Sequence, residues 1–385
     1  MYYDKKAAWT ASLSVILCGI SIAILQNKVV PCLDAIQAEF SLSNAAAGWL
    51  SSLFSVMGII MAFPAALIVG RFGVKRTCLV SLLAGCAGTL LGMTAVTAPW
   101  LIVSRVLEGV GAGLITVAAP MTISAWFPPE KQGFPMGLWA SWQLVAQALC
   151  FLVGAPLTQR FGWRGVWRLS LLFAAAALVL GLLFVRTPNG RETENDGRAG
   201  AQALGNPSVR AISLSMLCFC TACFGFVTWI SQCWVEHIGI GLAEANRYIS
   251  LFAVISIPAI AGTGYLMDHV DHRKFCTAVL PGYALTTCVL FLLTSRRTLL
   301  GCAVIYPVFE GAASACLWAI VPHTVRNPGE TASAMALFNL CSNVGMLLGP
   351  PLAGWAVDLW SWNGAIAVIL LSLLSATLFS RRVRE

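Results

Sequence analysis

Arg105, Glu108 and Glu310 each place a charge inside a long apolar run. A buried ionisable group in such a run is costly, and by default it marks a place where solutes, ions or protons are handled. Arg105 and Glu108 stand three residues apart, so on a helix they share a face and can pair. Two roles are open to them: a structural ion pair, or a site in which Arg105 attracts an anion or controls the protonation of Glu108. Glu310 holds the equivalent place in a later run, but Pro307 stands where the arginine would be. Without that local partner an ionised Glu310 is expensive to bury, which makes it a candidate proton carrier. The plainer role is a carboxylate hydrogen-bonded to a neighbouring helix.

A second set of residues is polar but uncharged. Gln26, Asn27 and Lys28 close the first apolar run; Trp142, Gln143 and Gln147 lie in the fifth; Thr228, Trp229 and Gln232 lie in the seventh. Trp318 is in the tenth, and Asn339 and Asn343 are in the eleventh. Gln143 and Gln147 are four apart, as are Asn339 and Asn343, so each pair occupies one helical face. Taken singly, such a residue is explained by interhelical hydrogen bonding, worth about 0.6 kcal/mol on average. As a set they predict a partly polar cavity. Lys28 is read as a chain that snorkels outward, and Arg168 is assigned no role. His269 and His272 flank Asp271, and Cys218, Cys220 and Cys223 cluster. The histidines fall in a connecting loop and the cysteines suit small-residue helix packing, so neither group is taken as a metal site and no cofactor is expected.

These residues must be positioned by membrane-spanning helices. Of 385 residues, 58% are hydrophobic and only 10% are charged, against about 25% charged in a soluble domain. Such a chain cannot cover a water-facing surface, and lipid takes that role. Twelve apolar runs are long enough to span: 9–30, 46–69, 77–96, 100–126, 134–157, 165–185, 211–235, 248–267, 275–294, 299–321, 332–357 and 364–378. The polar stretch Thr187–Arg210 divides them into an N-terminal bundle (1–186) and a C-terminal bundle (211–385), and reads as a cytoplasmic linker. With the N-terminus inside, 16 of the 24 Lys and Arg residues face the cytoplasm and 5 face out. That bias predicts both termini in the cytoplasm. The run from Trp9 to Leu25 continues without a cleavage signal, so it is a first span and not a signal peptide.

The halves repeat. Ser52–Val56 matches Ser250–Val254 at a shift of 198, Val106–Gly109 matches Val308–Gly311 at 202, and Trp163–Gly165 matches Trp362–Gly364 at 199. Parallel repeats of this kind place a solute site near mid-membrane.

The loop Gly70-Arg71-Phe72-Gly73-Val74-Lys75-Arg76, and its counterpart running from Gly264 through Asp268 to Arg273 and Lys274, resemble the signature loop of the major facilitator superfamily. Arg105 to Gly113 is similar to that family's R-x-x-x-G-x-G motif, and Gly345 to Gly354, with Gly349-Pro350 inside, is similar to its G-x-x-x-G-P element. The resemblance extends over essentially the whole chain and implies an all-α fold of twelve helices in two six-helix repeats. It also implies that Arg71, Gly73, Lys75, Arg76, Gly264, Asp268, Arg273 and Lys274 form conformational loops. The family's acidic latch matches Asp268. Gly70 stands at that place in the first half and Ala66 replaces the motif's first glycine, so the usual latch is not expected there. Phe127–Glu130, Gly137–Trp139 and Gly162–Arg164 look similar to the cyanate/nitroimidazole-type, organic-anion branch.

No phosphate-binding loop and no clustered nucleophile is present, so neither an ATP-driven pump in one chain nor an enzyme is expected. The expected function is secondary active transport of a small solute, an organic or inorganic anion, by alternating access with protons as the coupling ion. The expected setting is a bacterial inner membrane, as a monomer with no nucleic-acid partner. The alternatives are a drug or cation efflux antiporter and a non-transporting sensor on a transporter fold.

Overall fold

The structure is a computed structural model that describes residues 5–61, 64–127, 133–186, 205–267, 270–325 and 328–383. Among these residues the only regular elements are helices. Ten helices are long and apolar enough to cross a membrane, or eleven if the pair Asn44–Ser52 and Phe54–Met61, bent by 43°, counts as one span. Most of the linker, 187–204, and Asp268 and His269 lie outside the described residues.

The first compact unit comprises Met1–Phe40 and Leu53–Asn195. Helix α1 (Lys5–Asn27) gives way to a short 3-10 turn and α2 (Leu33–Phe40). The sequence dictates that stop: Pro31 has no N–H to close a bond onto the carbonyl of Asn27. Helices α4 (Phe54–Met61) and α5 (Pro64–Phe72) precede α6 (Val74–Met93) and the long α7 (Ala98–Trp126). Gly73 joins α5 to α6 at φ +77°, a conformation open to glycine. A side chain on Gly109 would strike the Phe54 carbonyl, and one on Gly111 the Ser81 carbonyl. These glycines therefore let α4 and α6 approach α7 backbone to backbone. Helices α8 (Gly133–Ala140), α9 (Trp142–Phe161) and α10 (Trp163–Phe184) complete this unit. The expected span 134–157 is thus interrupted at Ser141.

The second unit comprises Ser41–Ser52 and Asp196–Glu385. It holds α3 (Asn44–Ser52), α11 (Pro207–Ile238), α12 (Leu242–Met267), α13 (His272–Leu292), α14 (Arg296–Ile320) and α15 (Pro328–Ser380). Helix α15 is broken by non-helical backbone at Trp360 and Ser361. Gly345 and Gly349 seat α15 against the carbonyls of Leu217 and Thr221 on α11. Gly48 brings α3 onto Pro350, and the Ala45 N–H donates to Asp358 Oδ2 at 3.1 Å.

Candidate functional site

The last turn of α1 leaves carbonyls without helical donors, as every helix C-terminus does. Arg105 on α7 supplies them. One guanidinium nitrogen donates to the Leu25 carbonyl at 2.6 Å and the other to the Gln26 carbonyl at 3.0 Å. The first of these nitrogens also pairs with Glu108 Oε2, the contact expected from the three-residue spacing. The remaining carboxylate oxygen is claimed from elsewhere. Lys28 Nζ lies 2.6 Å from Glu108 Oε1 and 3.0 Å from Thr89 Oγ1, and the Thr89 hydroxyl donates to the same Oε1 at 2.7 Å. Lys28, Arg105 and Glu108 are fully buried. Aromatic rings finish the enclosure: Lys28 Nζ stands 4.6 Å from the centre of the Trp167 ring and the guanidinium 5.1 Å from that of Phe54. Lys28 therefore does not snorkel outward. Its ammonium is drawn inward because a carboxylate, a hydroxyl and a π face lie within reach and the helix C-terminus favours positive charge.

Beside this cluster the amides of α1 and α9 join. Gln143 Nε2 donates to Gln26 Oε1 at 2.8 Å, and Asn27 Nδ2 lies 3.3 Å from Gln143 Oε1. All three residues are half-buried, as is Gln147 one turn further along α9. Trp142 stacks on Trp139 with ring centres 4.7 Å apart.

The second unit is arranged differently. Glu310 accepts a hydrogen bond from Ser256 Oγ at 2.6 Å, and among the described residues no lysine or arginine pairs with it. Cys223, Tyr283 and Tyr306 lie near enough to feel its charge, and the two tyrosine hydroxyls are 3.2 Å apart. Trp229 is fully buried and donates to the Pro350 carbonyl at 2.9 Å, so its indole N–H ties α11 to α15. Gln232 Oε1 is buried with no hydrogen-bond partner among the described residues. Trp318 is 38% exposed with its ring edge-on to Phe338. Asn343 Nδ2 donates to the Asn339 carbonyl at 2.9 Å, which spends one of its donors locally.

The Major Facilitator Superfamily model matches residues 12–339. The chain belongs to the major facilitator superfamily. It is 26% identical over 362 residues to the uncharacterized transporter YycB of Bacillus subtilis (strain 168), covering 90% of this chain and 87% of that one. It is 22% identical over 354 residues to the hexuronate transporter of the same organism, covering 84% and 82%. Its fold superposes on the inward-facing, unoccupied crystal structure of a bacterial homolog to the human lysosomal transporter Spinster, with a TM-score of 0.82 at 17% identity over 99% of this chain and 98% of that one. The chain is thus a multi-pass membrane transporter and not an enzyme.

Of the superfamily's loop residues, Arg71, Gly73 and Arg76 are exposed and Lys75 is half-buried, beside the turn at Gly73. In the second half Gly264 and Arg273 are exposed, Arg273 donates to the Arg381 carbonyl at 2.6 Å, and Lys274 pairs with Asp271 at 3.1 Å. Asp268, the expected latch, is outside the described residues. His272 faces His323, ring centres 4.3 Å apart. Arg168 is exposed.

Three residues of the charged clusters were missed in the sequence, and a fourth, Lys28, reads there as pointing outward. Thr89, Trp167, Ser256 and Lys28 become partners only through tertiary packing, at separations of 19 to 80 residues where the hydrogen bonds define them. Lys28 did carry a signal: it stands directly before Val29-Val30-Pro31, at a forced helix end inside an apolar stretch.

Proposed function

We propose that this chain is a secondary active transporter of a small organic anion, working by alternating access and coupled to protons through Glu310. The observation that carries the reading is the contrast between two buried carboxylates. Glu108 lies between two cations, leaving this buried cluster with an excess of one positive charge; Glu310 has a hydroxyl partner and, among the described residues, no cation. A surplus cation suits an anionic solute. A lone carboxylate suits a proton, because protonation removes the charge that is costly to carry through the membrane. The similarity to a hexuronate transporter agrees in solute class.

Counting the bent pair as one span and dividing α15 at Trp360–Ser361 gives twelve spans, an even number that supports two six-helix repeats with both termini on one side; the Lys and Arg bias of the loops favours the cytoplasmic side, and the bacterial relatives an inner membrane. In proteoliposomes loaded with D-glucuronate or nicotinate, wild-type protein exchanges labelled solute and accumulates it under an inward proton gradient. Glu310→Gln keeps exchange and loses accumulation. Undiminished accumulation by that variant would rule out Glu310 as the proton carrier.

The second reading is an exporter of organic cations. Tyr283 and Tyr306 beside an unpaired carboxylate favour it, since aromatic faces and an anion together attract cations. In that case Glu310→Gln abolishes binding itself.

A further inference from the structure

Two cations and one carboxylate share the cluster at the end of α1, and among the described residues no other carboxylate acts on either cation. The surroundings also include the Leu25 and Gln26 carbonyls, the Thr89 hydroxyl, the thiols of Cys32, Cys86 and Cys150, and the rings of Trp167 and Phe54. A buried charge left unbalanced in such surroundings is unfavourable by several kcal/mol, so the cluster is short of one anion. Two donors at its border are also unspent: Arg105 Nε and Trp167 Nε1 are buried with no hydrogen-bond partner among the described residues.

The two cations are not equally free to meet that anion. Arg105 is tied to two backbone carbonyls at the end of α1, and releasing it would undo the helix terminus. Lys28 Nζ is held by side chains alone, and its backbone lies in the turn where α1 has already ended. The half-buried amides of Gln26 and Asn27, which precede Lys28 in the chain, and of Gln143, bonded to both, offer donors and acceptors to a polar solute.

We propose that Lys28 is the cation that receives the solute's carboxylate, and that Glu108 is the resident stand-in that holds Lys28 when no solute is bound. This rests on reading the chain as an anion carrier. Exchanging one carboxylate for another keeps the ammonium paired throughout, so no step strands a bare cation in the bundle. The solute class that fits is a small polar carboxylate, its charge on Lys28 and its hydroxyl or ring nitrogen on the amides.

The test uses the purified full chain in detergent. Two pairs of probes differ only in whether a carboxylate is present: D-glucuronate against D-glucose, and nicotinate against nicotinamide. Lys28→Gln leaves Arg105 and Glu108 as a balanced pair, so its unliganded Tm stays level or rises. Its affinity for the carboxylate probe falls at least about tenfold, the loss expected for one charge-assisted hydrogen bond, while Lys28→Arg retains binding within a few-fold. A fall in the Tm of unliganded Lys28→Gln makes Lys28 a structural pillar and overturns the proposal without reference to any solute. If wild type binds a carboxylate and Lys28→Gln binds it equally well, the proposal fails and the anion reading stands. If wild type responds only to the uncharged probes, or to none of the four, both fail.

Discussion

Glu39 and Trp163 meet at 2.6 Å, indole N–H to carboxylate, and this contact has a counterpart: Trp362 donates to Glu236 at 2.7 Å. The separations between counterparts, 197 residues for the glutamates and 199 for the tryptophans, match the shifts of the internal repeat. Glu39 lies on α2, just after the first long helix of its unit, and Glu236 lies in the last turn of α11, the first long helix of the other; each tryptophan stands at the start of the sixth run, so the bond ties helix ends that sequence distance keeps apart. The first half adds Arg164, whose nitrogens lie 2.8 Å and 3.0 Å from Glu39; the second half has Asn363 at the matching place.

That difference predicts unequal responses to the same substitution. Trp362→Phe removes the indole donor from Glu236 and should destabilise the protein by about 1 kcal/mol, a typical net hydrogen-bond contribution. Trp163→Phe leaves Arg164 on Glu39 and should cost less on that count. Thermal unfolding in one detergent compares them; an equal or larger loss of the hydrogen-bond contribution at Trp163 contradicts the argument, and Trp→Tyr controls separate it from lost packing.

Glycine-mediated packing makes a second prediction. A Cβ on Gly349 would overlap the Thr221 carbonyl, whereas one on Gly301 would meet nothing within 4 Å. Gly349→Ala should therefore destabilise by about 1–3 kcal/mol through forced backbone shifts. Gly301→Ala in α14 should be neutral or stabilise by about 0.4–1 kcal/mol, because it narrows the unfolded ensemble. A reversed order in Tm would show that α15 does not pack on α11 through this glycine.

Much of the architecture was legible because lipid imposes a simple code. Long apolar runs, polar breaks and glycine motifs located the helices, and the three-residue spacing gave the Arg105–Glu108 pair. What could not be read was anything fixed by side chains meeting across the bundle. Lys28 looks like a helix-end lysine free to reach water, and only the approach of α6 and α7 reveals that Thr89 and Glu108 are nearer. One of the two helix breaks was hidden for a local reason. Ser141 falls within an apolar stretch, where hydropathy does not change although the backbone does, whereas the Trp360–Ser361 kink lies in the gap left between the runs 332–357 and 364–378. Trp229, read as cavity-lining, is a tie between α11 and α15, and its partner is a backbone carbonyl that no composition could name.

The start of α13 supplies a pH-dependent prediction outside the membrane spans. Asp271 caps that helix: Oδ1 accepts from the Lys274 N–H at 2.9 Å and Oδ2 lies 3.1 Å from Lys274 Nζ. These contacts, the backbone hydrogen bond foremost, hold its carboxyl below the usual aspartate range. A depressed carboxyl contributes stability that is present above its unfolded value near 4 and lost as pH falls through the lower folded value. Asp271→Asn keeps a capping oxygen but removes the titration, so its stability should be flatter than wild type between about pH 5 and 3. Hydrogen exchange of the first turn of α13 measures this locally; parallel profiles for the two proteins would refute it.

The last prediction concerns how Arg105, Lys28 and Glu108 depend on one another. Removing the single anion leaves two buried cations facing each other, so Glu108→Gln should be the most damaging change, by about 3–5 kcal/mol for a broken buried pair. Arg105→Gln restores charge balance between Lys28 and Glu108, but it strands the Leu25 and Gln26 carbonyls, each an unsatisfied buried acceptor worth about 1–3 kcal/mol. It should therefore destabilise although it neutralises the excess charge. Combining Glu108→Gln with Lys28→Gln removes one of the two opposed cations, and the double variant should be more stable than Glu108→Gln alone. The coupling of about 0.5–3 kcal/mol that contacting residues show is read from a double-mutant cycle of unfolding free energies. Additive effects would mean that Lys28 and Glu108 do not share the contact seen at 2.6 Å.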